Sequence, residues 1–434
     1  MSATTTSLPP ALPGPALAQT LAAFLMPNRF DAWVISRYPT VIRMKVVGVG
    51  EIVALRDPDS IRELFTAKNG SVAAGEINKR VLPILGPNSI MAIDGERHLR
   101  MRRLLLPSFH GDAVDGYRGL IEEIAAREVD SWRSGEEFAI HPRMQAIALE
   151  VMLRVVLGVS QPARLEKLRA KLPKVLEANP LAFLIEDGRP WLASGLIGRM
   201  RPWVRVRRQA EALLRAEVAD HRTRPDGRDD ILAMLVAARD EDGRGLSDAE
   251  LEDQLLTLLL AGHETTATSL AWCFERLLRN PRVLARLLEE FDQGREKYLD
   301  AVIKETMRTR PVVEAVWRVL EKPLEIGGHR LPEGTIVVPV IRATHIEAFD
   351  EPAEFRPERF LEDDVAPYSH IPFGGGIRRC LGAGFATIEM KTVLRTVLER
   401  VELCAPDQAP ERVDRMRRFT ASPARGARVV ANAL

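Results

Sequence analysis

The longest run of regularly spaced hydrophobic positions lies in the middle of the chain. Helical spacing continues from about residue 245 to residue 279, with Ser247 and Glu250 as a capping box at its start and Asn280–Pro281 at its end. Residues 255–261 are apolar on nearly every face, which is typical of a helix inside a core. The sequence therefore predicts one long, buried central helix.

Helical and strand patterns alternate unevenly on both sides of this helix. Helical spacing predicts further helices at about residues 94–133, 144–157, 163–178, 200–221 and 381–401. Two β-branched runs around glycines, at residues 41–57 and 326–340, predict hairpins, and Pro58 begins a helix after the first. The expected fold class is mainly α with small β-sheets.

Nothing in the pattern marks a domain boundary or a repeat, so we expect a single domain over residues 1–434. The first 25 or so residues are rich in proline and predict an extended arm. The apolar stretch Asn179–Gly198, broken by glycine and proline, has two interpretations. It is either a lid at the entrance of an apolar site or a buried connection.

Composition narrows the class of protein. The 434 residues are 46% hydrophobic and 28% charged, as in ordinary globular proteins, and a net charge of +1 gives no support to bulk nucleic-acid binding. The apolar run at residues 16–26 is too short to span a membrane, so no anchor is predicted. Three cysteines exclude a disulfide scaffold and predict a cytoplasmic location.

One of the three cysteines lies in a distinctive context. Cys380 is in the glycine-rich run PFGGGIRRCLGAGFA, directly before a predicted helix. Helix-start N–H groups and nearby arginines favour a thiolate, and glycines allow close approach to a flat ligand. Thiolate ligation of haem iron is one use of such a site. The alternative is a buried cysteine on a loop. Cys273 and Cys404 lie in helical or apolar contexts and are expected to be core residues.

The residues around Cys380 resemble the haem-binding loop of the cytochrome P450 family. The matching positions of F-x-x-G-x-R-x-C-x-G are Phe373, Gly376, Arg378, Cys380 and Gly382. Three other stretches resemble the same family in its order: AGHETT (Ala261–Thr266), KETMR (Lys304–Arg308) and FRPERF (Phe355–Phe360). The resemblance extends from about residue 39 to the end of the chain.

The resemblance implies the fold, the cofactor and the reaction. In the cytochrome P450 fold, haem b lies between the central helix and the helix after Cys380, with Cys380 as the axial iron ligand and Phe373 and Gly382 beside the cofactor. The thiolate promotes O–O cleavage. One oxygen atom of dioxygen would enter the substrate, and the other would become water.

The AGHETT segment carries the expected catalytic pair. Glu264 and Thr265 lie mid-helix, where burial of a carboxylate and a hydroxyl costs free energy unless they are hydrogen-bonded. Threonine and glycine also weaken helix geometry, so we expect a local opening there. By the resemblance, Glu264 relays protons and Thr265 orients dioxygen. The alternative is a hydrogen bond between helices.

Further charged residues have expected structural or cofactor-binding roles. Glu305 and Arg308 share a helix face, and the resemblance implies a buried scaffold that they form with Arg359. The haem propionates need cations. The candidates are His98 and Arg102, one helical turn apart, together with Arg318 and Arg378.

Electrons are expected from separate proteins. The chain has no flavin or iron–sulfur motif, and its GGGIRRC string does not follow a strand in a βαβ unit. A ferredoxin or similar small acidic electron-transfer protein, with its NAD(P)H-dependent reductase, would supply them. Arg100, Arg103 and Arg379 are candidates for docking such a partner. We expect a monomer.

The substrate pocket is expected to be apolar. The candidate lining residues are Leu260, Ala261, Val312, Val313 and Val316, with the loop between residues 71 and 91. They favour a lipophilic molecule such as a terpenoid, steroid or fatty acid. Glu314 departs from the apolar pattern of the family. It either faces solvent or contacts a hydroxyl or cationic group of the substrate.

Three rival functions stay open from the sequence. A peroxygenase would keep the haem and use peroxide, although the Glu264–Thr265 pair argues against it. The same pair argues against a non-catalytic haem or lipid binding protein. A cysteine hydrolase that uses Cys380 with a distant histidine is a third alternative.

Overall fold

The protein is mainly helical, with small sheets, as predicted. The computed structural model describes residues 8–82, 85–176, 201–224, 227–362, 365–414 and 420–433. The α-helices are α1 Ala16–Leu25, α2 Pro27–Arg37, α3 Pro58–Phe65, α4 Gly75–Val81, α5 Gly95–Leu105, α6 Asp112–Asp115, α7 Arg118–Val129, α8 Ile140–Val151, α9 Pro162–Leu176, α10 Arg201–Thr223, α11 Ile231–Ala237, α12 Asp248–Leu278, α13 Pro281–Asp292, α14 Lys297–Thr309, α15 Ile341–Glu347 and α16 Ala383–Leu398.

The strands are short. They are β1 Val41–Val46, β2 Gly50–Leu55, β3 Val72–Ala73, β4 Glu137–Ala139, β5 Arg318–Leu320, β6 Leu324–Ile326, β7 His329–Leu331, β8 Ile336–Pro339, β9 Val401–Cys404, β10 Val413–Asp414, β11 Ser422–Pro423 and β12 Arg428–Ala433.

The chain divides into two compact units, each made of several segments. The first unit contains Met1–Ile77, Glu275–Cys380 and Val413–Ser422, and the second contains Asn78–Phe274, Leu381–Arg412 and Pro423–Leu434. The prediction of a single domain stays a prediction.

The first unit is built on a five-stranded sheet with the order β1-β2-β8-β5-β3. The predicted first hairpin is confirmed: β1 and β2 are antiparallel, and Gly48 and Gly50 have positive φ angles in and beside the turn. In the second predicted hairpin, β6 pairs with β7, while β8 joins the large sheet parallel to β2. The sheet and α3 enclose a core that includes Leu55, Ile61 and Val337.

The second unit is mostly helical. Its three-stranded sheet has the order β4-β12-β9, and α16 packs against α7. Phe385 of α16 makes edge-on ring contacts with Phe109 and Tyr117. This packing holds the helix that follows the Cys380 loop.

The central helix, α12, has the predicted start but not the predicted opening. The Ser247 hydroxyl accepts a hydrogen bond from the Glu250 N–H at 3.3 Å, and the Glu250 carboxylate accepts one from the Ser247 N–H at 2.9 Å. The helix is uninterrupted from residue 248 to residue 278, so the local opening predicted at Glu264 and Thr265 is wrong. A departure from α-helical geometry occurs instead directly after α8, where Met152–Val156 form a π-helical turn.

The N-terminal region also corrects the sequence prediction. The prediction of an extended arm over about the first 25 residues is wrong at its end, because Ala16–Leu25 form α1. The side-chain amide of Gln19 donates to the carbonyl oxygen of Leu12 at 3.0 Å, which folds the preceding segment back on the helix. Cys404 is exposed, against expectation, whereas Cys273 is buried as predicted.

Two further predictions concern apolar segments. The stretch Asn179–Gly198 lies outside the described residues. Among the helices that are described, none is long and apolar enough to cross a membrane.

Candidate functional site

The Cys380 loop is a tight turn closed by its own backbone. The Cys380 N–H donates to the Phe373 carbonyl oxygen at 3.0 Å, and the Arg379 N–H donates to that of Gly376 at 3.1 Å. Gly374 and Gly376 both have φ of 65°, a left-handed conformation that glycine adopts without steric cost. The loop leaves the Cys380 side chain exposed.

The same loop rests on the end of α3 in the first unit. A Cβ atom at Gly375 would lie 2.2 Å from the ring of Phe65, and one at Gly376 would lie 2.4 Å from the Phe65 carbonyl oxygen. Side chains at these two positions would therefore displace the loop. The glycines serve close packing as well as the turn.

A second feature of the first unit is a buried cluster of charged residues. The structure brings together Glu305 and Arg308 of α14 with Arg359, as the sequence predicted. The Glu305 carboxylate lies 2.6 Å from Arg308 Nε and 3.2 Å from Arg359 Nε, and all three residues are almost completely buried. Arg308 also donates to the carbonyl oxygens of Pro352 and Glu354, so the cluster fixes the chain before Arg359.

His345, which sequence reasoning missed, connects this cluster to the Cys380 loop. Its Nε2 accepts a hydrogen bond from the Ile371 N–H at 3.0 Å, so its proton is on Nδ1, which donates to the Arg308 carbonyl oxygen at 3.2 Å. Burial lowers the pKa of His345 well below its usual value, and burial also lowers the pKa of the stacked His370 to about 4. Both rings are neutral at pH 7.

The candidate cofactor cations lie on several elements. In the first unit, the buried Arg318 guanidinium lies 5.8 Å from the centre of the Phe65 ring, and Arg378 is half-buried in the loop itself. In the second unit, His98 is buried and Arg102 is half-buried, one turn apart on α5. Gly382 is the last residue before α16.

Glu264 and Thr265, the predicted catalytic pair, lie on α12 in different surroundings. The Thr265 hydroxyl donates to the Ala261 carbonyl oxygen at 2.5 Å, on an accessible strip of the helix that includes Ala261. Glu264 points toward α8, where the Gln145 amide donates to its carboxylate at 2.6 Å and His141 lies 3.5 Å away. Sequence reasoning missed His141 and Gln145, although their spacing of four residues in a helical pattern was a usable signal.

Comparison with known proteins identifies the family in which these features occur together. The family model described as Cytochrome P450 matches residues 9–427 of the chain.

This chain belongs to the cytochrome P450 family.

Individual relatives agree with the family model. The chain is 44% identical over 433 residues to a protein named cytochrome P450 135B1 from Mycobacterium tuberculosis, with 96% of this chain and 90% of the relative covered. It is 37% identical over 432 residues to cytochrome P450 138 from Mycobacterium bovis, with 98% and 96% covered. The structure of a cyanobacterial P450, CYP120A1 bound to retinoic acid, aligns with a TM-score of 0.85 and 25% identity, covering 99% of this chain and 100% of that one.

Family membership establishes the reaction class. The protein is a haem-thiolate monooxygenase, a P450 oxidoreductase that uses haem and dioxygen with electrons supplied by a reductase. The predicted fold, enzyme class and family are therefore confirmed.

The residues of this P450 fit a haem group. The exposed thiol of Cys380 on a glycine-rich loop would provide a soft iron ligand, and Arg318 and Arg378 in the same unit would provide cations for carboxylates. Across the described residues, no group of three or more histidine, cysteine, aspartate or glutamate side chains is arranged to bind a metal ion. A cysteine thiolate is one of the axial donors that haem proteins use, so the exposed Cys380 is suited to this role.

The candidate pocket residues differ in exposure. Ala261 is exposed and Leu260 half-buried on α12, whereas Val312 is buried, Val313 is 37% exposed and Val316 is half-buried against the core of the first unit. The Glu314 carboxylate lies 3.1 Å from Arg342 Nε, an ion pair that neither of the two sequence interpretations included.

The structure distinguishes among the three arginines that were candidates for docking a partner. Arg100 Nε lies 2.6 Å from Asp240 and its Nη1 lies 3.2 Å from Glu250, so its charge is largely neutralised within the second unit. Arg103 is exposed and only loosely paired with Glu241 at 3.5 Å, and Arg379 is exposed beside Cys380. Arg103 and Arg379 are the remaining candidates.

Proposed function

We propose that this P450 inserts one oxygen atom of dioxygen into a lipophilic small molecule, such as a terpenoid, steroid or fatty acid, with haem b as its cofactor. The observation that carries the proposal is the glycine-rich turn that presents Cys380, together with the acid–alcohol pair on α12. The apolar candidate lining and the retinoic acid bound to CYP120A1 support an apolar substrate.

In this proposal, Cys380 would ligate the haem iron, and Phe373 and Gly382 would help to bind the cofactor. His98, Arg102, Arg318 and Arg378 bind the propionates through charge-assisted hydrogen bonds. The haem, when bound, supplies the activation of dioxygen and the oxidation of the substrate. The closed loop holds the Cys380 sulfur in one place, because its flanking backbone groups are already paired.

Glu264 and Thr265 together deliver a proton to dioxygen in this proposal. The Thr265 hydroxyl, which now donates to the Ala261 carbonyl oxygen, can rotate to bind dioxygen on the accessible side of α12. The Glu264 side chain is 16% exposed, so its carboxyl group can exchange protons with solvent and pass them toward Thr265. This division of roles favours dioxygen over peroxide as the oxidant.

We further propose that electrons come from a small acidic protein, such as a ferredoxin, and its NAD(P)H-dependent reductase. Arg379 beside Cys380 and Arg103 on α5 are exposed cations that suit such a partner. A cytoplasmic location would supply these partners and keep the three cysteines reduced.

The carbon monoxide difference spectrum of the reduced protein tests the haem assignment. We expect a strongly red-shifted Soret band that Cys380→Ser abolishes while Cys404→Ser leaves it in place. Turnover of a lipophilic substrate panel should require dioxygen, reductase and ferredoxin. Turnover by peroxide alone, at a rate equal to the complete system, would favour the peroxygenase, and a folded, haem-supplied protein without colour would overturn the haem assignment.

Reversal of the exposed cations tests the partner. Arg379→Glu should slow reduction by ferredoxin by roughly tenfold at low salt and less at high salt, because screening weakens the attraction. Arg244→Glu, which changes an exposed arginine paired with Asp242, is the matched control. Equal rates for Arg379→Glu and Arg244→Glu at low salt would exclude this docking site.

A further inference from the structure

The carboxylate of Glu264 is surrounded by polar side chains of the second unit. The Gln145 amide donates to Glu264 Oε2 at 2.6 Å, and the Thr268 hydroxyl donates to Oε1 at 3.3 Å. His141 Nε2 lies 3.5 Å from Oε1 and 3.1 Å from the Thr268 hydroxyl. Both carboxylate oxygens are therefore engaged by side chains that are themselves buried.

The packing of α8 on α12 makes these contacts possible. Gly262 leaves room for Met152, since a Cβ atom at residue 262 would lie 2.7 Å from the Met152 sulfur. The buried His263 ring nitrogen Nε2 contacts the Gln145 carbonyl oxygen at 3.1 Å, which joins the two helices again. His141 and Gln145, one turn apart on α8, then both face Glu264.

Glu264 needs such support because of its position beside Thr265. Consecutive residues on an α-helix point about 100° apart, so the two side chains leave α12 on different sides. An unsupported glutamate side chain would sample several rotamers, so its carboxyl group would occupy any one position only part of the time. The contacts with Gln145, His141 and Thr268 favour one of these positions. A general acid acts only within hydrogen-bond reach of the group that it serves, directly or through a water.

We propose that Gln145 and His141 are positioning residues for proton delivery: they hold the Glu264 carboxyl group where it can serve Thr265. The inference rests on the proposed role of Glu264. Gln145 makes the shorter contact and fixes the direction of the carboxylate. His141 fixes the second oxygen, directly and through Thr268.

The yield of hydroxylated product per electron pair is the decisive measurement. We expect Gln145→Leu to lower this yield by about tenfold, with the missing electrons recovered as hydrogen peroxide, because misplacing an acid costs part of its ~100-fold contribution. His141→Phe should lower it about threefold. His141→Gln, whose amide can place a donor near the Nε2 position, should restore the yield to within twofold of the parent.

Two readouts other than turnover separate positioning from misfolding. The substrate dissociation constant and the carbon monoxide difference spectrum should be unchanged in Gln145→Leu and His141→Phe. Turnover with an oxygen-atom donor that needs no delivered proton should stay within twofold of the parent. A loss in all of these readouts together would assign His141 and Gln145 a merely structural role and overturn the inference.

His221 supplies a matched control. It is also a buried histidine beside a carboxylate, 3.0 Å from Asp230, and it contacts the Glu217 carbonyl oxygen of its own helix α10 and the side chain of Arg228. His221→Phe should lower the urea midpoint of the holoprotein as much as His141→Phe does, without lowering the yield per electron pair. An equal loss of yield in His221→Phe would contradict a specific role for His141.

The Glu264→Gln background distinguishes failure of this inference from failure of the proposed function. If Glu264→Gln leaves the yield unchanged, the proton role of Glu264 itself is wrong. If Glu264→Gln lowers the yield but Gln145→Leu does not, only the positioning inference fails. In the double variant, Gln145→Leu should add no further loss, because both changes remove the same function.

Discussion

Glu389 shows how the surroundings of one residue decide its charge. This carboxylate on α16 is 1% exposed, and its Oε1 has no hydrogen-bond partner among the described residues. Burial raises the pKa of Glu389 to about 8, so the side chain is mostly protonated at pH 7. No local pattern of residues indicates this, because burial depends on the neighbours of α16.

Replacing Glu389 by methionine should make stability less dependent on pH. The raised pKa means that folding is most favourable below the pKa of the unfolded chain, about 4.3, and loses stability as pH rises through 8. Glu389→Met should therefore gain stability relative to the parent between pH 5 and pH 8, by up to about 4 kcal/mol.

Urea unfolding of both proteins at pH 5 and pH 8 measures this difference. Glu399→Gln, at an exposed position of the same region, should show no such trend. A parent and a Glu389→Met variant with the same pH dependence would contradict a buried, protonated carboxyl group.

The cysteines make a related point about residues. The pattern of glycines and arginines around Cys380 distinguishes this cysteine from Cys273 and Cys404. Exposure alone does not, since Cys380 and Cys404 are both exposed. The signal for Cys380 comes from the glycines of the turn and from the helix that follows it, and both can be recognised in the local sequence.

At the scale of elements, local signals were accurate where one segment decides its own conformation. The capping box at Ser247 and the turn around Gly48 follow from side chains within a few residues. The opening expected in α12 is absent, and the helical irregularity occurs instead in a segment that packs against it. Met152–Val156 form a π-helical turn, and Met152 packs against Gly262.

The Cys380 loop offers a matched test at this scale. Gly374 and Gly376 share φ of 65°, but only at Gly376 would a Cβ atom collide with backbone, 2.4 Å from the Phe65 carbonyl oxygen. Gly374→Ala should cost about 1–2 kcal/mol of stability from backbone strain alone and keep its haem. Gly376→Ala should cost more and lower the haem content several-fold, because the loop must leave α3.

The ratio of haem to protein absorbance, together with urea midpoints, measures both variants. Equal haem content in Gly374→Ala and Gly376→Ala would mean that the contact with Phe65 does not position the loop.

At the scale of the whole molecule, the Glu305 cluster joins segments that lie far apart in the sequence. Glu305 contacts Arg308 on its own helix, Arg359 more than 50 residues later and the Arg356 N–H at 2.8 Å. A buried ion cluster costs desolvation free energy, but loss of one member leaves the others uncompensated.

Glu305→Gln should therefore destabilise the protein by about 3–5 kcal/mol, since Arg308 and Arg359 would stay buried without a counter-charge. Glu399→Gln is the control, because its pair with Arg395 at 2.8 Å is solvent-exposed and worth less than about 1 kcal/mol. The free energy of unfolding in urea measures both, and similar small losses would show that the cluster does not support the fold.

The sequence by itself determined the family and the helical class, because several short patterns occur in one order. It also predicts Cys380 as the iron ligand and Glu264 and Thr265 as the catalytic pair, and these site assignments stay predictions. The tertiary structure decided which distant groups meet. It placed His345 between Arg308 and Ile371, paired Glu314 with Arg342 and neutralised Arg100 with Asp240. It also surrounded Glu264 with His141 and Gln145. Such contacts depend on the packing of segments far apart in the chain. The spacing of His141 and Gln145 indicates a shared helix face, but not that this face meets Glu264.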